Sequence, residues 1–123
     1  MEKLNREGKN YMIRKYRVFT STEFEKDRKK AVKRDSKLEN LLQETVMQLE
    51  ADPYKHSERL KGNLNGKRRI PVGQRWRVIF LICEECKELE EEQKNDCYQC
   101  DIHKSADVIV SALMPRKRDY RRI

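Results

Sequence analysis

LKGNLNGKRRIPVGQRWRVIFLI, residues Leu60 to Ile82, is the stretch on which the reading of this 123-residue chain turns. Val78 to Ile82, continued by Cys83, is the longest uninterrupted apolar run in the protein. A run this short that leaves a glycine turn reads as a buried strand. Gly73-Gln74 marks a hairpin turn, and Lys67 to Val72 supplies the strand before it. Alternation places Trp76, Val78, Phe80 and Ile82 on one face and Arg75, Arg77, Ile79 and Leu81 on the other. Both faces are apolar at the far end, so the strand is expected to be central. The stretch also carries six cations (Lys61, Lys67, Arg68, Arg69, Arg75 and Arg77). A rigid sheet that emerges from a basic turn can present guanidinium groups to a polyanion.

Upstream, residues 1 to about 10 are polar and read as a frayed end. Tyr11 to Phe19 (YMIRKYRVF) is β-prone and predicts a first strand centred on Tyr16 to Phe19. Thr20–Glu23 and Thr22–Glu25 both have capping-box spacing, so a helix is expected to start there. Its apolar face is thin (Phe24, Ala31, Val32), and the opposite face is rich in Lys and Arg. Ser36–Glu39 heads a second helix, in which Leu38, Leu41, Leu42, Val46 and Leu49 follow the helical period with Thr45 in the same stripe. Each aliphatic buried there contributes about 1.5–3 kcal/mol. Asp52-Pro53 ends the helix, since the residue before proline is pushed out of the α region. Leu60-Lys61-Gly62 reads as a short extended piece. Asp107 to Met114 (DVIVSALM) is the last strand, and Pro115 to Ile123 is a basic tail. The predicted class is α+β: an N-terminal strand, an αα-hairpin, then a three-stranded antiparallel meander, all in one domain spanning residues 1–123.

The formal charge is +8, but the segment from Cys83 to Cys97 holds seven acids and two lysines, which leaves the remainder at +13. A body this basic favours nucleic acid or an acidic partner. A Lys/Glu/Arg-rich surface of the heat-adapted kind would match the content but not the segregation of acids from bases. No apolar run is long enough to span a membrane, and the N-terminus lacks the apolar core of a signal peptide. The expected compartment is the cytoplasm.

The strongest local motif is Cys83-x2-Cys86-x10-Cys97-x2-Cys100. Two C-x-x-C pairs joined by a short loop fit a tetrahedral zinc ion with four thiolates, and four thiolates leave no open position. A structural zinc knuckle is therefore expected as an insertion at residues 83–104, between the last two strands. Two disulfides are the alternative, as found inside hyperthermophiles.

The chain resembles the RelE/ParE superfamily of toxins. The resemblance rests on YRVFTSTEFEKDRKK, LEADP, LKG, RRIPVGQRWRVIF and RKRDY, in that order, across about residues 16 to 120. It implies a compact sheet with an N-terminal helical hairpin and a cognate antitoxin that wraps the toxin. It also implies either ribosome-dependent mRNA cleavage, as in RelE-like members, or gyrase inhibition, as in ParE-like members. Residue by residue, Arg77 matches the arginine after the aromatic of the family's central strand. Arg69 matches the basic residue that begins the strand before the hairpin, and Lys61 the basic residue of the L-K/R-G turn. Arg116 matches the basic residue after the last strand, and Tyr120 the C-terminal tyrosine. The chain departs from the family at Pro71 and Pro115, where basic residues are common, and its hairpin is one residue longer. The four-cysteine insertion is not typical of the family.

Cleavage by attack of a 2′-hydroxyl on its 3′-phosphate needs a base, cations for the pentavalent phosphate and an acid for the leaving oxygen. The chain has two histidines. His56 falls in a post-helix loop and His103 beside the cysteines, and neither is taken as catalytic. A tyrosine or lysine crowded by cations, such as Tyr120, Lys61 or Lys67, is then the proton-transfer candidate, with Arg77 and Arg116 clamping the phosphate. Lys67, Arg68 and Arg75 read as plain phosphate or antitoxin contacts, and Trp76 as core. Three readings remain open: an mRNA endoribonuclease, a gyrase-inhibiting toxin, and a non-catalytic zinc-bearing RNA- or ribosome-binding module, which Pro71 favours.

Overall fold

The first helix starts on the serine between the two threonines that head capping boxes. In the computed structural model, which describes residues 3–4, 10–11, 15–89 and 106–117, Ser21 is the N-cap of α1 (Thr22–Arg34), and its Oγ accepts the Phe24 amide at 3.0 Å. The Ser36–Glu39 pair does not cap the second helix. Helix α2 (Leu38–Ala51) starts after Lys37 with no side-chain cap. Instead the Asp35 carboxylate accepts the Lys37 amide at 3.1 Å and the Trp76 indole N–H at 3.0 Å, which pins the turn of the helical hairpin to the sheet.

Two short strands, β1 (Lys3–Leu4) and β2 (Asn10–Tyr11), pair with each other apart from the main sheet. That sheet has five strands: β3 (Arg17–Thr20), β4 (Glu58–Arg59), β5 (Arg68–Val72), β6 (Trp76–Ile82) and β7 (Asp107–Pro115). Their spatial order is β3-β7-β6-β5-β4, with antiparallel pairing from β7 through to β4. The meander of β5, β6 and β7 is antiparallel, and the N-terminal strand β3 joins it by running parallel to β7. The chain leaves β3 through the two helices and returns along the opposite edge, so the first and last strands meet in the same direction. Arg17 and the fully buried Asp107 lie opposite each other across this junction and form two bonds, at 2.8 and 2.9 Å.

Both helices pack on one face of the sheet. Phe24 from α1 and Leu38, Leu42 and Leu49 from α2 meet Ile70, Val72, Val78, Phe80, Ile82, Val108 and Val110 in the main core. The turn between β5 and β6 touches this layer as well. Gly73 has φ +62°, and a Cβ there would sit 3.0 Å from Leu41 Cδ1, so both backbone and packing select glycine. The other face carries a smaller cluster of Leu60, Ile79 and Met114 and remains open at the hairpin end.

After β6 the chain turns into helix α3 (Cys83–Glu88) directly at Cys83. Glutamates disfavour strands, whereas Glu84 and Glu85 in a first helical turn are favoured by the helix dipole. Cys83 and Cys86 lie buried with Leu81 and Ile109. Cys97, Cys100, His103 and Tyr120 lie outside the described residues. Among the described residues no helix is long and apolar enough to cross a membrane.

Candidate active site

The pleat of the sheet sorts the basic residues of the hairpin. In β5, Ile70 and Val72 face the helices together with Arg68, so Arg69 and Pro71 face the open side. In β6, Arg77 shares the open side with Ile79, and its register partners are Pro71 on β5 and Met114 on β7. In β4, Glu58 lies opposite Arg69 and takes the open side, while Arg59 lies opposite Arg68 on the helix side.

A bulge settles the fifth position. Val108 and Val110 of β7 face the helices. The register then slips by one, so that Ile79 pairs with Ala112 and Phe80 with Val110, which leaves Ser111 as the extra residue. Ser111 Oγ donates to the Ile79 carbonyl at 3.1 Å, and Ser21 Oγ donates to the Ser111 carbonyl at 3.0 Å. Beyond the slip the alternation is inverted: Leu113 joins the helix-side core and Met114 the open face. Arg116, whose amide donates to the Arg75 carbonyl at 2.9 Å, follows on the open side.

These elements enclose a cleft of ≈ 280 Å³ lined by His56, Glu58, Arg69, Pro71, Arg77 and Arg116. Three of the five residues expected at the site, Arg77, Arg69 and Arg116, therefore meet. Lys61 is exposed and does not line the cleft, and Tyr120 lies outside the described residues. Arg77 is 8% exposed, with its stem packed into the central strand and its Nε shielded from solvent. Glu58 Oε2 accepts from Arg69 Nε at 3.1 Å and from Nη2 at 2.7 Å. The sequence reading missed Glu58 and set His56 aside as a loop residue, yet both line the cleft. A signal for Glu58 was its position just before Leu60-Lys61-Gly62, since a strand there would pair it with the arginine of β5. His56 adopts φ +63°, a conformation that non-glycine side chains seldom take, in the turn that leads into β4.

Arg68 is corrected from a surface phosphate contact to a buried anchor. Its Nε and Nη2 bind the Glu85 carboxylate at 3.0 and 2.9 Å, and its Nη1 donates to Ser57 Oγ at 3.1 Å. Its guanidinium lies over the Tyr54 ring, 4.8 Å from the centroid. The neighbouring Glu84 Oε1 accepts from the Tyr16 hydroxyl at 2.5 Å and from the Tyr54 hydroxyl at 2.8 Å. Burial, then the bond to Glu84, pushes the Tyr16 pKa up to about 12, and the same two causes raise that of Tyr54 further. The neutral phenols are thus the favoured forms in the folded chain. Their contribution to stability is complete below the ordinary tyrosine value near 10 and is lost as pH rises through about 12. An ultraviolet titration at 295 nm should show two of the five tyrosines ionising late. Glu84→Gln should advance both without restoring ordinary values, because burial remains. Full ordinary titration in the native protein would contradict this placement.

Chemically, the cleft offers three guanidinium groups against one carboxylate, with an imidazole at the rim. An anionic tetrahedral group fits that balance, and arginine forks hold its oxygens in defined directions. The carboxylate and imidazole are groups able to exchange protons with a bound substrate.

No family model matches the sequence, and neither does any curated protein. Solved structures do match. A YoeB/ParE toxin from Agrobacterium tumefaciens aligns with a TM-score of 0.58 at 10% identity, over 81% of this chain and 98% of that one. The YoeB dimer from Staphylococcus aureus aligns with a TM-score of 0.50 at 13% identity, over 80% of this chain and 93% of that one. A conserved hypothetical protein of Helicobacter pylori, HP0894, aligns with a TM-score of 0.52 at 16% identity, over 82% of this chain and 94% of that one. The chain therefore has the fold of the YoeB/ParE toxins, with the helix-bearing insertion between its last two strands.

Proposed function

We propose that this protein is the toxin of a type II toxin–antitoxin system and cleaves mRNA on the ribosome. The observation that carries the reading is the convergence of Glu58, His56, Arg69, Arg77 and Arg116 on one open cleft of a YoeB/ParE-like fold. Glu58 takes the proton of the 2′-hydroxyl, and that oxygen attacks the adjacent phosphorus. Arg77 and Arg116 stabilise the charge gathering on the phosphoryl oxygens, and Arg69 orients Glu58. The bond from phosphorus to the 5′ oxygen breaks, and the leaving oxygen takes a proton from His56 in its protonated form or from Tyr120. A 2′,3′-cyclic phosphate and a 5′-hydroxyl remain. Lys61, exposed and not among the residues that line the cleft, contacts RNA or ribosome rather than the reacting phosphate. The partners are a cognate antitoxin, mRNA and the ribosome, and the compartment is the cytoplasm.

In vitro translation with the purified protein, read by primer extension, tests this reading. Codon-spaced cuts that vanish with Arg77→Ala support it, and intact message with both proteins overturns it. A parallel gyrase supercoiling assay identifies the ParE-like activity in that event. Steeply salt-dependent RNA binding without cleavage would identify a binding module.

The cysteine motif belongs to the same proposal. Cys83 and Cys86 sit one helical turn apart on α3, which puts both sulfurs on one side of the helix, as two zinc thiolates require. In this reading Cys97 and Cys100, which lie outside the described residues, supply the other two ligands. A structural zinc ion there stabilises an otherwise very acidic segment. Elemental analysis should find about one zinc per chain, lost in Cys97→Ser/Cys100→Ser. Metal-free protein with oxidised cysteines would favour the disulfide alternative.

A further inference from the structure

We infer that Glu84 and Glu85, at the root of the insertion, are positioning residues for the cleft on the opposite side of the sheet. The segment from Tyr54 to Arg59 touches both, and so does β5, where Arg68 binds Glu85 and Arg69 lines the cleft. Tyr54, Ser57 and Arg59 point to the insertion. The Tyr54 hydroxyl donates to Glu84, Ser57 Oγ receives the Arg68 guanidinium held by Glu85, and Arg59 Nε lies 3.8 Å from Glu85 Oε2. His56 and Glu58, interleaved with them, point into the cleft. From Ser57 to Arg59 the chain enters β4 and Glu58 leaves it on the side opposite to its neighbours, while His56 sits in the tight turn just before, so ties at Tyr54, Ser57 and Arg59 hold both cleft residues.

The anchoring is well placed to control conformation. His56 holds φ +63°, which an unrestrained histidine would leave. The turn that carries it is otherwise tied by local bonds, from Tyr54 N to Asp52 Oδ1 at 3.0 Å and from Ser57 Oγ to the Pro53 carbonyl at 2.8 Å. Helix α3 adds the long-range ties. It also carries Cys83 and Cys86 in the same one and a half turns, so whatever orders the cysteine segment orders the two carboxylates. This role rests on the cleft being the functional site, but it predicts a local geometry that can be read without any cleavage assay.

The chain has two histidines, so ring-selective ¹³C labelling gives two NMR signals, assigned with His103→Gln. Inorganic phosphate serves as the probe of the cleft. In Glu84→Ala, which removes the acceptor of the Tyr16 and Tyr54 hydroxyls, and in Tyr54→Phe, which removes one of those two donors, the His56 signal should move toward the unfolded-chain position. The phosphate Kd read from that signal should rise at least threefold, with the His103 signal unchanged. Glu84→Asp should recover part of both effects. In the translation assay these variants should lower kcat more than they raise KM. An unmoved His56 signal in variants with wild-type circular dichroism overturns the proposal. Movement of His56 without any phosphate binding or cleavage in the wild type would retain the positioning role and remove the assigned function. Met47→Ala, on the exposed side of α2, is the control that should change neither signal.

Discussion

Arg77→Ala is expected to reduce single-turnover cleavage of ribosome-bound message by about 10²–10³-fold, with little change in the amount of protein bound to ribosomes. The size follows from placement. Arg77 rises from the middle strand of the sheet, 8% exposed, between Pro71 and Met114, and its guanidinium is delivered to the cleft by a backbone that cannot easily move. A donor held in this way needs no reorganisation as charge builds on the phosphate. A surface arginine that merely attracts RNA would instead change binding and its salt dependence. Arg77→Lys retains the charge but loses the fork, so it should recover only part of the rate. Loss of ribosome binding in proportion to cleavage would reassign Arg77 to docking.

The largest expected effect on stability is that of Glu85→Ala. Arg68 and Glu85 have side chains 11% and 9% exposed and bind through two parallel hydrogen bonds. Removing the carboxylate leaves a guanidinium desolvated on the helix side of the sheet, which costs about 3–5 kcal/mol. Against a total of about 5–15 kcal/mol for a domain, that is a large share. Urea unfolding should show a lowered midpoint, and Tm should fall by roughly 10 °C or more. The apolar pair Arg68→Met/Glu85→Leu should recover most of the loss, because no charge is then left buried. If Glu85→Ala unfolds at the wild-type midpoint, the pair is not buried in solution. Arg17–Asp107 makes an instructive contrast. Its arginine side chain is 57% exposed, so water screens the pair and a smaller effect follows from cutting it on the arginine side.

Much of the fold is legible in Leu60 to Ile82. The short apolar run, the glycine turn and the strict alternation establish a central strand, and that strand orients Arg77 away from the helices. The periodic leucines of α2 likewise announce a helix that covers one face. These features are local, because a side-chain period of two or of 3.6 is fixed by backbone geometry. Capping was less legible. The two threonine boxes point to either side of the actual N-cap, Ser21, the residue whose hydroxyl also reaches the bulged strand.

Three decisions belong to the tertiary structure alone. Which cations share a face depends on register: Arg68 and Arg69 are adjacent in sequence, yet one is buried against Glu85 and the other lines the cleft. Arg116 reaches that cleft because one extra residue, Ser111, inverts the alternation of β7, and composition does not reveal a bulge of this kind. Glu58 and His56 join the site because β4 closes the edge of the sheet beside β5. The sequence by itself determined the long helices, the hairpin strands and the last strand, together with the basic sign of the chain, since these follow from near neighbours along it. Only the folded sheet decided the site, because pairing register and long-range ion pairs depend on residues tens of positions apart.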